Sequence, residues 1–412
     1  MRSALFLLAL AVHPISSLPL GAQSDSGAVL VLRRANAVDP ARGAIGRVTI
    51  VVRGTKIERI EPGDVQAPAG ARVIDLEGRW VIPGMIDAHT HLSSLSAARR
   101  ALESGVTTVR SAIVGAYQDV AMRELARRGA IAGPDVVAAG VFVTPDLGES
   151  MLADARLGAL RGPVASEEQL RQVVRINLDR GVDVIKTRGT ERAGLPNTDP
   201  RKQTYSEAQL RAIVQEAATR NIPVMAHAHG DEGAMAAVRA GVKSIEHGTY
   251  LSDSTLALMR QHGTWLVPTY RTVEDLTEPG GDYDDPVLIL RGRHMLPRLA
   301  ETVKRAHRMG VKIATGVDTN YGPESLSRVA HEVASFVDLG LTPLEALRTA
   351  TTSAADLLGL SSTTGALRAG LDADLVVLEG NPLEDVRRLQ DVLLVVSNGR
   401  VAVERIPFGV GR

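Results

Sequence analysis

Between Val81 and Asp318, eight short apolar runs alternate with amphipathic stretches, and this alternation limits the chain to a small set of architectures. The runs are Val81 to His89, Thr107 to Ser111, Asp135 to Gly140, Val182 to Lys186, Ile222 to His227, Val242 to His247, Thr264 to Pro268 and Val311 to Asp318. Strands separated by helix-length connections pair in parallel, because a parallel pair needs a long crossover. Two of the connections, Ser166 to Arg180 and Ser206 to Arg220, open on a serine with a glutamate close behind, which is a helix-start signal. Eight strand–helix units over about 240 residues predict a (β/α)8 TIM barrel in the α/β class. A doubly wound open sheet is the competing arrangement, but the Gly-rich phosphate loop it often carries after its first strand is absent.

Both ends of the chain read differently. Val29-Leu30-Val31-Leu32 is a strand-like run, and Val48 to Val52, Arg53-Gly54, then Lys56 to Ile60 reads as a hairpin. Near the other end, Ala373 to Leu378 and Val392 to Val396 are strand-like, and Asn398-Gly399-Arg400 turns into Val401-Ala402-Val403. Two β-rich ends around a barrel predict one small β-sandwich domain formed by both terminal regions, since chain termini commonly lie close together. The expected division is 24–82 and 364–412 for the sandwich and 83–363 for the barrel. Residues 1–23 read as a signal peptide, with a positive start at Arg2, a short apolar core from Ala4 to Val12 and small residues near Gly21-Ala22. That core is too short to span a bilayer. The expectation is an exported protein, periplasmic or secreted, with no membrane span.

Composition removes several chemistries. The 412 residues include 47 Lys+Arg and 47 Asp+Glu, so the net charge is zero, which argues against nucleic acid as a partner. There is no cysteine, which excludes disulfides, thiolate metal sites and a cysteine nucleophile. A metal would have to be held by histidine, carboxylates or a less usual group.

Ligand-capable residues recur at the C-terminal ends of the barrel runs. His89 and His91 end the first, Lys186 the fourth, His227 the fifth, His247 the sixth and Asp318 the eighth. In a (β/α)8 barrel these ends converge on one face, where active sites sit. Alternate strand residues point the same way, so His89 and His91 can both face inward. Any one of these histidines alone is more often a hydrogen-bonded structural group, but five ligand-type residues at corresponding strand ends form a pattern. Four histidines and an aspartate converging there describe a metal site, most simply for zinc. Lys186 is the unusual member: an ammonium would repel a metal, whereas a neutral amine is a nucleophile, and its carbamate offers two anionic oxygens.

The set resembles the amidohydrolase superfamily from about residue 28 to 403. The segments that carry the likeness are Val81-Ile82-Pro83-Gly84-Met85-Ile86-Asp87-Ala88-His89-Thr90-His91, Ile185-Lys186, Ala226-His227-Ala228-His229-Gly230, Ser244-Ile245-Glu246-His247-Gly248, Thr315-Gly316-Val317-Asp318 and Gly370 to Leu378. The resemblance implies two divalent metal ions. One is held by His89 and His91 with Asp318 and the other by His227 and His247, with N6-carboxylated Lys186 bridging them. It also implies a metal-bound hydroxide, with Asp318 moving the proton. Within the superfamily the chain is similar to the prolidase-like branch, of Xaa-Pro dipeptidase or carboxypeptidase type, which includes ochratoxin-type amidases. Deaminase relatives commonly place Glu where this chain has Gly230. Two positions depart from many prolidase-like relatives: Ser111 follows Arg110 where they have Asp, and the Thr144 to Glu149 loop has no histidine.

The expected function is hydrolysis of the C–N amide bond of dipeptides or N-acyl amino acids. The alternative within the superfamily is a cyclic amide or lactone hydrolase. A metal- or solute-binding envelope protein is the non-enzymatic alternative, disfavoured because simple binding does not need the proton-transferring Asp318. On the substrate side the candidates are Tyr250, three residues after His247, as a catalytic and carbonyl-binding group, the long loop after Lys186 with Arg188, Arg192, Arg201 and Lys202, where a guanidinium could bind a substrate carboxylate bidentately, and His229 beside His227. The expected partner is a small-molecule or dipeptide substrate, and homo-oligomers are common among relatives.

Overall fold

The structure is a computed structural model that describes residues 28–160, 162–279 and 284–406. The expected signal peptide, 1–23, lies outside the described residues. Among the described residues no helix is long and apolar enough to cross a membrane.

Both ends of the chain meet in one eight-stranded sheet. Its first five strands are β1 (Val29–Asp39), β2 (Gly43–Arg53), β3 (Lys56–Pro62), β4 (Arg72–Asp75) and β5 (Trp80–Pro83). The barrel strands β6 (Met85–Thr90), β7 (Val106–Ser111), β8 (Asp135–Val137), β9 (Ile185–Arg188), β10 (Val224–Ala228), β11 (Ser244–His247) and β12 (Trp265–Val267) follow, and β13 (Leu375–Leu378), β14 (Val392–Ser397) and β15 (Arg400–Glu404) return to the sheet. Its order is β15-β14-β13-β5-β1-β2-β3, with β4 also paired to β1. The hairpin expected at Gly54 forms with Arg53 opposite Lys56. The turn at Asn398-Gly399 has φ of 49° and 75°, the left-handed pair that an Asn-Gly hairpin turn favours. The two hairpin turns touch: a Cβ on Gly399 would lie 1.9 Å from the Gly54 carbonyl oxygen, so only glycine fits there. The sheet encloses a core drawn from both ends of the chain, including Leu32, Ile50, Val52 and Ile57 with Leu375, Val377, Leu394 and Val396.

The first apolar run, Val81 to His89, is two strands rather than one. Gly84 is the joint: its N–H donates to Asp374 O at 2.8 Å, and a Cβ there would overlap the Thr107 side chain. Upstream, β5 pairs with β13 in the small sheet, and downstream β6 pairs with β7 in the barrel.

The barrel runs as two parallel ladders, β6-β7-β8 and β9-β10-β11-β12. Backbone hydrogen bonds carry the ring across the two gaps. Asp183 N donates to Ala138 O and Val143 N to Lys186 O between β8 and β9. The eighth run, Val311 to Asp318, is not a regular strand. It joins β12 through the parallel bridge Leu266–Ile313 and β6 through Ala88 N to Thr315 O and Asp318 N to His89 O. The molecule is a (β/α)8 barrel with an extra β domain. Strands β6, β10 and β11 are buried along their whole length, as parallel strands covered by helices must be. The two expected helices run over Glu167–Asp179 and Glu207–Ala218, capped by Ser166 and Ser206. In each the reciprocal partner in the capping box is a glutamine, Gln169 or Gln209, and not the nearby glutamate.

Candidate active site

The side chains that end the barrel strands meet at one face. Rings of His89 and His247 lie 5.2 Å apart, those of His227 and His247 4.5 Å, and those of His229 and His247 4.6 Å. Lys186 Nζ is 3.4 Å from His89 Nε2, and Asp318 Oδ1 is 3.4 Å from the same nitrogen. The ligand atoms of His227, His229 and His247 lie within 4.8 Å of one another, and so do those of His89, His247 and Asp318. His229, read in the sequence as a substrate-side residue, therefore stands among the potential ligands. His91 joins through Asp318, with Nε2 2.7 Å from Oδ1.

Strand alternation explains His89 and His91 but not His247. Ser244 and Glu246 both bond Arg110, so they share one face of β11, and strict alternation would turn His247 away. His247 instead has φ of 75° and Asp318 has 54°, left-handed values at non-glycine residues. Such conformations cost on the order of 1–3 kcal/mol and gather at functional sites. Here they bring both side chains into the cluster.

Each ring is held by its other nitrogen. His89 Nδ1 is 2.6 Å from Glu246 Oε2, His91 Nδ1 donates to Ile113 O at 2.8 Å, and His227 Nε2 donates to Glu191 O at 3.0 Å. His229 Nδ1 and His247 Nδ1 pair with Thr249 and Thr269 hydroxyls at 2.8 and 2.6 Å. Fixing one nitrogen orients the ring and assigns the other as ligand. Beneath the cluster Glu246 is fully buried and bonded by Arg110 at 2.9 and 3.1 Å; Arg110 also donates to Ala88 O and Ser244 Oγ. Burial pushes the Glu246 carboxyl up, but the Arg110 charge and the His89 hydrogen bond outweigh it and bring it down to about 2. Glu246 is thus a carboxylate, and His89 presents Nε2 as an acceptor.

Burial, then the Lys186 charge, lowers His89 to about 4, and burial lowers His229 to about 3. Burial also holds His227 and His247 well below the ordinary histidine range. Neutral imidazoles are what a metal requires. Burial brings the Lys186 amine down to about 8. The donor set fits divalent metal ions. With His91 Nδ1 donating to a carbonyl, a neutral His91 turns the Nε2 lone pair toward a carboxylate oxygen 2.7 Å away. Two acceptors at that distance call for a cation between them, whether a proton or a metal.

The cluster lies at the floor of a small inner cavity of about 60 Å³, also lined by Phe142, Arg192, Thr272, Val273 and Leu276. It opens into an outer chamber of about 470 Å³ lined by Ile113, Val114, Phe142, Ser150, Arg192 and Asn320, with His91 and Asp318 at its base. Tyr250 and Arg188, the sequence candidates for substrate contact, line neither space. Tyr250 follows β11 in a turn and packs near His294, with ring centroids 6.1 Å apart. The Arg188 guanidinium lies over Phe142 at 5.9 Å, and burial lowers its pKa. Arg192, from the same loop, lines both spaces. Glu246 and Arg110 stand in segments compared with relatives, but their bond to each other is not legible there, because it depends on a pairing between strands far apart in the chain.

A (β/α)8 barrel with histidines, an aspartate and a lysine at its C-terminal face defines a class of hydrolytic enzymes. The chain belongs to the amidohydrolase family, whose sequence profile it matches over residues 80–402. It is 32% identical to the ochratoxinase of Aspergillus niger over 314 residues, covering 71% of this chain and 63% of that protein. It is 29% identical to the imidazolonepropionase of Chromobacterium violaceum over 386 residues, 82% of this chain and 88% of that one. The crystal structure of a Xaa-Pro dipeptidase with methionine in its active site superposes with a TM-score of 0.81 at 25% identity, over 91% of this chain and 99% of that one. Members of this family are hydrolytic enzymes that act on C–N bonds.

Proposed function

We propose that the enzyme hydrolyses the amide bond of dipeptides or N-acyl amino acids at a binuclear metal site. The observation that carries this reading is the pair of overlapping ligand sets, His227, His229, His247 and His89, His247, Asp318, which suits two ions better than one. His91 and Lys186 complete the shell. Carboxylated at Nζ by carbon dioxide with loss of a proton, Lys186 would hold the ions through carbamate oxygens. Zinc is the simplest occupant for imidazole and carboxylate ligands. When bound, the metals supply Lewis acidity, which acidifies water and polarises a carbonyl.

The protein's own residues do the rest. Asp318 Oδ takes the proton of the attacking water and passes it to the leaving amine nitrogen. The inner cavity, at about 60 Å³, has room for ions and the scissile group only, so the substrate's side chains lie in the outer chamber. We place the mature enzyme outside the cytoplasm, on the signal-peptide reading of residues 1–23.

A screen of the zinc-loaded protein against dipeptides, N-acyl amino acids and lactones, read by mass spectrometry with Lys186→Ala as control, tests the proposal. Cleavage of dipeptides or acyl amino acids, lost in the variant, supports it. Turnover of cyclic amides or lactones alone moves the assignment to ring opening, a reading favoured by the likeness to imidazolonepropionase. Silence across the panel with two metals bound overturns the substrate class.

A further inference from the structure

We infer that Arg192 is the recognition point for a free carboxylate on the substrate, set where the inner cavity meets the outer chamber. This inference rests on the amide-hydrolase reading and adds the residue that selects the substrate class.

Arg192 lines both spaces, and among the described residues it is the only lysine or arginine lining the outer one. The loop that carries it neutralises its other charges internally. Lys202 pairs with Glu191 at 2.7 Å and Arg201 with Asp199 at 3.0 Å. Among the described residues the Arg192 guanidinium has neither hydrogen bond nor ion pair. Asp318, the one carboxylate at the chamber's base, is already engaged by His91.

The loop is also held still. Arg291 donates to the carbonyls of Ala193, Leu195, Pro196 and Thr198 at 2.5 to 3.1 Å. Thr198 Oγ1 donates to Arg192 O at 2.5 Å, and the preceding carbonyl, Glu191 O, accepts from His227 Nε2. The backbone of Arg192 is thus tied on one side to the clamp and on the other to a candidate metal ligand. Its side chain is left as one planar fork of donors. That geometry matches a planar carboxylate bidentately. Ile113, Val114 and Phe142 give the chamber an apolar wall, so the substrate should carry its carboxylate beside an apolar side chain.

The test compares N-acetyl-phenylalanine with N-acetyl-phenethylamine, which lacks only the carboxylate, on the zinc-loaded wild type, Arg192→Gln and Arg192→Lys. Wild type should prefer the acid by about 10- to 100-fold in kcat/KM, the range of a charge-assisted hydrogen bond. Arg192→Gln should bring the ratio close to one, chiefly through KM, with melting temperature and metal content as in wild type. Arg192→Lys, keeping the charge without the fork, should fall between. Equal hydrolysis of both compounds by wild type overturns the inference while leaving the amide-hydrolase reading standing, and so does an acid preference that survives in Arg192→Gln. Hydrolysis of neither by wild type removes these amides as substrates. Calorimetric binding of N-acetyl-phenylalanine then decides on Arg192: weaker binding to Arg192→Gln supports it, and equal binding overturns it.

Discussion

His89 reaches the site already oriented, because Glu246 holds its Nδ1 and Arg110 holds Glu246. The three form a buried chain of charge inside the barrel, and its value depends on every link being present. Glu246→Gln should therefore weaken metal affinity by about 10- to 100-fold, the usual effect of removing a ligand's outer partner. Titration with a competing chelator measures this, and a variant that binds metal like wild type would assign Glu246 a purely structural role. Asp318→Asn should abolish turnover with most of the metal still bound, because an amide cannot take up the proton. Near-normal rates with metal retained would remove Asp318 from proton transfer. The strand-end positions of His89, His91, His227, His247 and Asp318 follow from the spacing of the apolar runs. The backbone twist that aims His247 and Asp318 does not, since no residue type announces a left-handed conformation at a histidine or aspartate.

The elements that hold the loop after β9 meet through glycine. The helix Asp231–Ala240 starts against the loop that follows β9, with Gly233 facing Gly189. A Cβ on Gly233 would lie 2.4 Å from Gly189 O, and the obstacle is backbone. Alanine would ordinarily favour a helix by about 1 kcal/mol over glycine. Here Gly233→Ala should instead lower the melting temperature and raise KM, because the loop bearing Arg192 must shift. A higher melting temperature would mean that the loop gives way without cost. Sequence periodicity identifies the helices Glu167–Asp179 and Glu207–Ala218 well, because amphipathic spacing and a serine cap are local properties. It fails at the first apolar run, where reading Val81 to His89 as one strand passes over the turn signal Pro83-Gly84, the joint that Thr107 and Asp374 hold. It also overstates the eighth run, whose apolar residues are buried but whose backbone bonds reach two different neighbours.

At the scale of the whole molecule, buried carboxyls outside the metal cluster, Asp374 and Glu332 among them, give stability a pH dependence. Burial raises Asp374 from 3.8 to about 7 and Glu332 from 4.5 to about 8. Asp374 ties the small sheet together, accepting from Asn398 N and Thr364 Oγ1. Glu332 accepts the N–H groups of Tyr270 and Arg271 at the start of the helix Tyr270–Asp275. The folded state binds both protons more tightly than the unfolded chain. Their stabilisation is therefore fully present below about pH 4 and is lost as pH rises through 7 to 8. Urea unfolding of the metal-free protein at pH 5 and pH 8 should find a smaller difference for Asp374→Asn and for Glu332→Gln than for wild type. Equal differences would mean that neither group titrates in that window. A further consequence lies in the pairing of β5 with β13, which sets Pro83 opposite Leu375. The small sheet cannot close until a strand made early in synthesis finds one made nearly at its end, and contacts that distant in the chain form slowly. A nascent chain lacking its last strands leaves Leu32, Ile50, Val52 and Ile57 without Leu375, Val377, Leu394 and Val396.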